Sequence, residues 1–264
     1  MKSFEKLVDY MRQFDRVVVA FSGGVDSTLL LKAACDALGE DAMGVMVVSP
    51  LLPKDEIDLA YEVAEQFDLN FECIDIAFEE ISAFTHNPEH RCYICKKILF
   101  KQIIDYAKDF GAEVIVDGSN VDDSSDYRPG AKAKDELGVI SPFNELGFTK
   151  ADIREVSKDQ ELLTWDIPSK ACLASRIPYN QDITIEKLSM IEQAEAFLNT
   201  CGFIGNRVRH FGDYASVEVE PQDVKLLLKK TMMDRITKQL KKIGFERVEF
   251  DKEGYKTGKL NGLM

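Results

Sequence analysis

The run Val17-Val18-Val19-Ala20-Phe21-Ser22-Gly23-Gly24-Val25-Asp26-Ser27 limits the possible folds more than any other part of the chain. A short, wholly apolar stretch fills the middle of a parallel sheet. Leu29, Leu30, Ala33, Ala34 and Ala37 then recur at helical spacing, with Gly39 placed to cap the helix. A buried strand that passes through a glycine turn into a helix predicts a ligand site at the strand's carboxyl end. Gly23 and Gly24 let backbone N–H groups approach a phosphate with no Cβ in the way. Ser22 and Ser27 can donate from their hydroxyls, and the helix turns its positive end toward the anion. These residues predict a pyrophosphate cradle. Asp26 repels phosphate unless a divalent cation bridges the two, which implies magnesium. The loop lacks the glycine followed by Lys and Ser/Thr that marks the kinase and GTPase P-loop.

The alternation continues beyond the loop. Residues 4 to 13 place Phe4, Leu7, Val8 and Met11 on one helical face, and strands are predicted at 43–48, 70–76 and 113–117 with helices near 53–67 and 93–109 between them. This order predicts an α/β fold: a parallel sheet covered by helices on both faces, with Ser22, Ser49 and Gly118 at the ligand-binding ends of strands. From about 119 to 182 the chain is rich in Gly, Pro, Asp and Ser around a short helix near 150–160, and catalytic loops are expected there. A periodic helix from Thr184 opens a small α/β subdomain with strands near 206–211, 216–220 and 246–251 and a helix near 230–243. The expected division is residues 1–182 for the loop-bearing domain and 183–264 for substrate binding and oligomerisation.

No stretch reaches the roughly 18 uncharged apolar residues of a spanning helix, and the charged start of the chain does not read as a signal peptide, so a cytoplasmic enzyme is expected. The formal net charge of −13 disfavours an extended grip on nucleic acid, leaving Lys96, Lys97, Lys101 and the pair Arg207 and Arg209 as candidate phosphate holders.

With no export signal, the six cysteines are expected as thiols. Cys92 and Cys95 lie three apart in Arg91-Cys92-Tyr93-Ile94-Cys95-Lys96-Lys97 at a predicted helix start, where the dipole and adjacent Lys favour a thiolate ligand or nucleophile. Cys172 stands in a polar loop between Lys170 and Arg176. Three thiolates suit three irons of a four-iron four-sulfur (4Fe-4S) cluster and leave the fourth iron open, whereas structural zinc ordinarily takes a fourth protein ligand. Cys35, Cys73 and Cys201 sit in apolar patterns and read as core.

Ser-Gly-Gly-x-Asp-Ser directly after the first strand resembles the PP-loop superfamily of ATP pyrophosphatases, also called adenine nucleotide alpha hydrolase-like, which implies ATP cleaved between its α and β phosphates. End to end, the chain resembles the LarE family of ATP-dependent sulfur transferases of nickel-pincer cofactor biosynthesis. The motifs that carry this are Arg-Cys-Tyr-x-Cys-Lys-Lys, Asp117-Gly118-Ser119-Asn120 with Asp122 and Asp123, Tyr127-Arg128-Pro129-Gly130, Cys172-Leu173-Ala174-Ser175-Arg176-Ile177-Pro178-Tyr179, Arg207-Val208-Arg209 and Gly254-Tyr255-Lys256-Thr257-Gly258. The resemblance implies a carboxylate of pyridinium-3,5-biscarboxylate mononucleotide adenylated and then converted to a thiocarboxylate. In one branch of that family a cysteine at the position of Cys172 gives up its own sulfur and becomes dehydroalanine; in another, three cysteines carry an iron–sulfur cluster that passes on sulfide. Having all three thiols, Cys92, Cys95 and Cys172, this chain is read with the second branch. The resemblance also implies a homo-oligomer.

Asp117 to Asn120 end a strand where an adenosine would lie, with Gly118 permitting close approach and Asn120 available to the ribose. Ser175, Arg176, Arg207 and Arg209 are candidates for the mononucleotide phosphate or the carboxylates, the two strand arginines sharing one face. Glu195 and Glu218 read from composition as solvated carboxylates, His86, His90 and His210 form no ligand pattern, and Trp165 reads as packing. Two other functions share the loop. A tRNA thiolase requires a basic RNA platform, and an ammonia-dependent amidating synthetase has no need of grouped thiols.

Overall fold

The computed structural model describes residues 2–125, 129–168 and 171–256, so Tyr127, Arg128, Lys170, Thr257 and Gly258 of the motifs above lie outside the described residues. The chain forms two compact units, Met1–Ser82 with His90–Ser169, and Ala83–Glu89 with Lys170–Met264.

In the first unit α1 (Phe4–Met11) precedes β1 (Val17–Ala20), and α2 (Val25–Leu38), β2 (Ala42–Val48), α3 (Lys54–Gln66), β3 (Phe71–Asp75), α4 (Arg91–Phe110) and β4 (Val114–Asp117) follow in turn. The sheet is parallel in the order β3-β2-β1-β4, so β1 is bonded on both sides, with Val18 opposite Met43 and Ile115. Its side chains explain the burial. Val17 and Val19 pack with Leu7, Leu29, Leu30 and Ile153 on one face, and Val18 packs with Phe100 and Ile103 of α4 on the other. All three valines are wholly buried, each contributing about 1.5–3 kcal/mol. This is the α/β fold the sequence predicts.

The region expected as loops holds more helix than its glycines and prolines suggest. α5 (Pro129–Glu136), α6 (Pro142–Leu146) and α7 (Lys150–Asp159) form within it. Ile140 bridges β4, accepting from Asp117 N at 2.9 Å and donating to Ile115 at 2.9 Å, which brings Ser141 beside the end of that strand. Thr149 caps α7 through a reciprocal box with Asp152.

The second unit packs α8 (Ile185–Thr200) and α10 (Lys230–Ile243) on a sheet of β5 (Arg207–His210), β6 (Tyr214–Glu218) and β7 (Arg247–Phe250), with the short α9 (Val224–Leu227) before α10. β5 and β6 are antiparallel. β6 and β7 are parallel, the order that a helical crossover permits. Leu198, Phe203, Val208, Val217, Ile236 and Leu240 form its core. Among the described residues no helix is long and apolar enough to cross a membrane.

Candidate active site

The glycine loop leaves β1 at Phe21, whose N–H still bonds Val45 at 3.0 Å, and enters α2 with Gly24 as N-cap. Gly23 has φ +71°, and a Cβ there would lie 3.1 Å from Ala60 Cβ on α3, so both backbone conformation and space require glycine. Ser27 closes the turn: its Oγ accepts from Ser22 N at 3.1 Å, lies 3.1 Å from Ser22 Oγ and reaches Gly24 O at 3.2 Å. The first N–H groups of α2 follow directly on this turn, and a helix N-terminus of that kind attracts an anion.

β4 arrives beside this turn. A Cβ on Gly118 would lie 3.0 Å from both Asp26 Cβ and Ser27 N, so the end of β4 approaches the first turn of α2 this closely only with glycine at 118. A cavity of about 370 Å³ opens here, lined on its polar side by Ser22, Asp26, Ser27, Gly118, Ser119 and Asp123 and on its apolar side by Met46, Leu52, Leu99, Phe100 and Ile103. Of the residues predicted to bind cofactor, Ser22, Asp26, Ser27 and Gly118 line this space, while Gly23 and Gly24 shape the turn without lining it. Ser49 lies outside, its Oγ accepting from Leu51 N at 3.3 Å. Asn120 is 3% exposed and also outside: it donates to Asp26 Oδ1 at 3.2 Å and accepts from Asp122 N at 3.1 Å, holding Asp26 in place.

Two lysines that sequence reasoning missed complete the surroundings. Lys150, first residue of α7, places its ammonium on Asp26 Oδ2, while its own N–H bonds Asp122 at 2.7 Å. The Thr149-x-x-Asp152 box that starts α7 was a legible signal for its position. Lys134 of α5 is buried against Ser141 and Asp117.

Cys92 is exposed and Cys95 half-buried in the first turns of α4. Steps of three and four carry one face of that helix from Cys92 through Cys95 and Lys96 to Leu99, Phe100 and Ile103, so the thiols continue the stripe that lines the cavity. Cys172 belongs to the second unit and precedes the helical turn Leu173–Arg176, its carbonyl accepting from Ser175 N at 2.9 Å and Arg176 Nη1 at 3.0 Å. Among the described residues no three His, Cys, Asp or Glu side chains form a group that could hold a metal ion. Cys35 and Cys73 are half-buried in the core; burial is the main cause that pushes both thiols up and keeps them protonated.

The second unit carries a buried charge cluster. Arg176, 1% exposed, meets Glu195 through two bonds of 2.9 Å, and Glu195 also accepts from Val208 N at 2.9 Å. Arg209 donates to Glu218 at 2.9 Å and to Ser175 O at 3.2 Å. The solvated reading of Glu195 and Glu218 is therefore overturned: Glu218 is 2% exposed, and each carboxylate neutralises a buried arginine. Arg207 has no carboxylate within ion-pair reach among the described residues. It donates to Asn206 O at 2.7 Å and stacks on Tyr255 at 5.0 Å. Burial, then the charge of Arg176, pull its pKa below the ordinary arginine value, so an anion supplied from outside would be welcomed. His210, three residues on, is buried against Phe245 at 5.2 Å and takes no part in the cluster.

A parallel sheet with a serine-and-glycine phosphate loop at the end of its central strand and a polar cavity beside it defines an ATP-using enzyme of the PP-loop class, and residues 2–98 match the NAD synthase family model. The chain belongs to the LarE family of sulfurtransferases: it is 33% identical over 259 residues, 98% of this chain and 93% of the relative, to the pyridinium-3,5-bisthiocarboxylic acid mononucleotide synthase of Lactiplantibacillus plantarum. An uncharacterized protein of Synechocystis sp. is 36% identical over 260 residues, covering 98% of this chain and 97% of its own length. An uncharacterized protein of Methanocaldococcus jannaschii is 32% identical over 243 residues, 92% of this chain and 91% of that protein.

Proposed function

We propose that this enzyme uses ATP to adenylate a carboxylate of pyridinium-3,5-biscarboxylate mononucleotide, releases pyrophosphate, and replaces the adenylate by sulfur to give a thiocarboxylate. The observation that carries the reading is the cavity itself, where the Ser22–Ser27 cradle, Asp26 and the α4 stripe running on to Cys95 and Cys92 come together. A carboxylate oxygen is a poor leaving group, and adenylation turns it into AMP. Ser22, Ser27 and the α2 N–H groups hold the departing pyrophosphate as its charge develops.

Magnesium fits the oxygen-rich wall. Asp26 and Asp123 line the cavity, and an ammonium already rests on Asp26 where a cation is needed. It would be held by Asp26 and would supply charge neutralisation for the pyrophosphate. A four-iron four-sulfur cluster on Cys92, Cys95 and Cys172 would supply a sulfide nucleophile. The thiols suit it in chemistry but form no ligand group among the described residues. The alternative is that Cys172 donates its own sulfur: its thiol attacks the acyl adenylate and AMP leaves, giving a thioester, then loss of the Cα proton and cleavage of the Cβ–S bond release the thiocarboxylate and leave dehydroalanine. Arg207, the buried guanidinium without a carboxylate, takes the mononucleotide phosphate, with Arg209, Arg176 and Ser175 around it. The enzyme works as a cytoplasmic homo-oligomer.

The test combines the enzyme, ATP, magnesium and the biscarboxylate mononucleotide, with pyrophosphate measured and product and protein weighed by mass spectrometry. A sulfur-bearing product with release of pyrophosphate is expected. Iron and sulfide bound after anaerobic reconstitution support the cluster; loss of one sulfur from Cys172 supports the sacrificial route. Pyrophosphate release that needs tRNA, or ammonia, instead of the mononucleotide overturns the acceptor.

A further inference from the structure

Lys134 is 7% exposed, an unusual place for an ammonium, and the reaction above has no use for it. It donates to Ser141 Oγ and lies 3.8 Å from Asp117 Oδ1. Ser141, itself buried, passes the chain on to Asp117 Oδ1 at 2.6 Å. The other oxygen of Asp117 takes Ser119 Oγ at 2.6 Å, and Ser119 N reaches Oδ1 at 3.3 Å. An ammonium can only donate and a carboxylate can only accept, so each hydroxyl between them has one possible direction. Ser141 accepts from Lys134 and donates to Asp117; Ser119 donates to Asp117. Ser119 lines the cavity, and with its hydroxyl hydrogen engaged on Asp117 its Oγ can only accept from a bound molecule.

We propose that Lys134 is a positioning residue for the nucleotide: through Ser141 and Asp117 it fixes Ser119 as an acceptor-only wall of the cavity, which selects a ligand presenting a hydroxyl or amine donor there. This rests on the reading of the cavity as the ATP site. The carrier of Lys134 is suited to the task. α5 is clamped to α4, where a Cβ on Gly130 would lie 3.1 Å from Lys96 Cγ and Glu136 joins Lys97 at 2.6 Å and Tyr93 at 2.7 Å, so the lysine is held between the strand end and the cavity-lining helix.

The test measures KM for ATP, kcat for pyrophosphate release and thermal unfolding in the full chain and in Lys134→Met, Lys134→Arg and Ser141→Ala. Losing the charged donor to Ser141, and with it the ion pair to Asp117, raises KM for ATP roughly 10- to 100-fold in Lys134→Met with kcat changed less, and Lys134→Arg restores most of it. Ser141→Ala, a smaller cut in the same relay, raises KM several-fold and serves if Lys134→Met fails to fold. The donor is sought with 2′-deoxy-ATP, 3′-deoxy-ATP and the purine riboside triphosphate that lacks the exocyclic amine. One of them binds wild type more weakly than ATP does, and binds Ser119→Ala no more weakly than ATP. Unchanged KM in a folded Lys134→Met or Ser141→Ala, with only the unfolding temperature lowered, overturns the proposal, as does equal binding of all three analogues to wild type. A wild-type protein that does not bind ATP overturns the nucleotide reading itself, an outcome distinct from both.

Discussion

The ammonium of Lys150 rests on the carboxylate of Asp26, at the point where the phosphate loop becomes α2. A second hand on the same carboxylate, Asn120 at 3.2 Å, leaves Asp26 oriented but its charge balanced by the lysine. On the proposed reading, a divalent cation arriving with ATP would take the place of that ammonium.

Lys150→Met should therefore bind magnesium more tightly than wild type in the absence of nucleotide, as read by calorimetric titration. Asp26→Asn should bind it more weakly and lose about 100-fold or more in kcat/KM, the scale of a missing transition-state charge contact. Unaltered magnesium binding in both variants would show that Asp26 is not the cation ligand.

Glycines 23 and 118 should fail in different ways. Gly23→Ala meets both a left-handed backbone and Ala60, and should lower stability by about 1–2 kcal/mol as well as weaken ATP binding. Gly118→Ala meets only crowding against Asp26 and Ser27, so its effect should fall on KM for ATP more than on the unfolding temperature. Calorimetric scans beside nucleotide titrations separate the two.

Among the buried arginines the direction of the stability change depends on what is left behind. Glu195→Ala strands Arg176 and should destabilise the protein by about 3–5 kcal/mol, seen as a shifted urea midpoint. Arg207→Met strands no carboxylate, so its unfolding should be close to wild type while KM for the mononucleotide rises.

His210 predicts the acid limb of stability. Burial, then the charge of Lys187, hold its pKa below the ordinary value of 6.5, so the unfolded chain binds the proton more readily than the folded one. Its contribution is complete above pH 6.5 and is lost as the pH falls below it. His210→Phe should flatten that part of the stability curve, and an unchanged slope would assign it to other groups.

Thiol labelling should follow exposure. Cys92, at the surface, should alkylate well before Cys35, which burial keeps protonated, and peptide mass mapping over a time course gives the order.

The first strand, the turn and α2 were legible because three signals agreed: an unbroken apolar run, two glycines, and helical spacing after them. The spacing of Cys92 and Cys95 was equally plain, but that their face of α4 continues into the cavity needed the cavity. α5 was hidden because Pro129 and Gly130 argue for a loop, and its order comes from packing on α4, which no local pattern records. Lys134, Glu195 and Glu218 were hidden for a related reason: a charged residue looks solvated in sequence, and only a partner far along the chain reveals that it is buried. The alternation of Arg207 and Arg209 suggested one charged face, yet all four residues of β5 are buried, so neighbouring elements rather than the strand's own period decide its exposure.

β1 is hydrogen-bonded on both sides and sealed on both faces. Amide hydrogens in such a strand exchange with solvent only when the surrounding sheet opens, so they should be among the slowest in the molecule. The glycine loop is mounted directly on that strand, so at one end it should inherit the same slow exchange, and on the proposed reading the ATP phosphates would rest against one of the most protected parts of the chain.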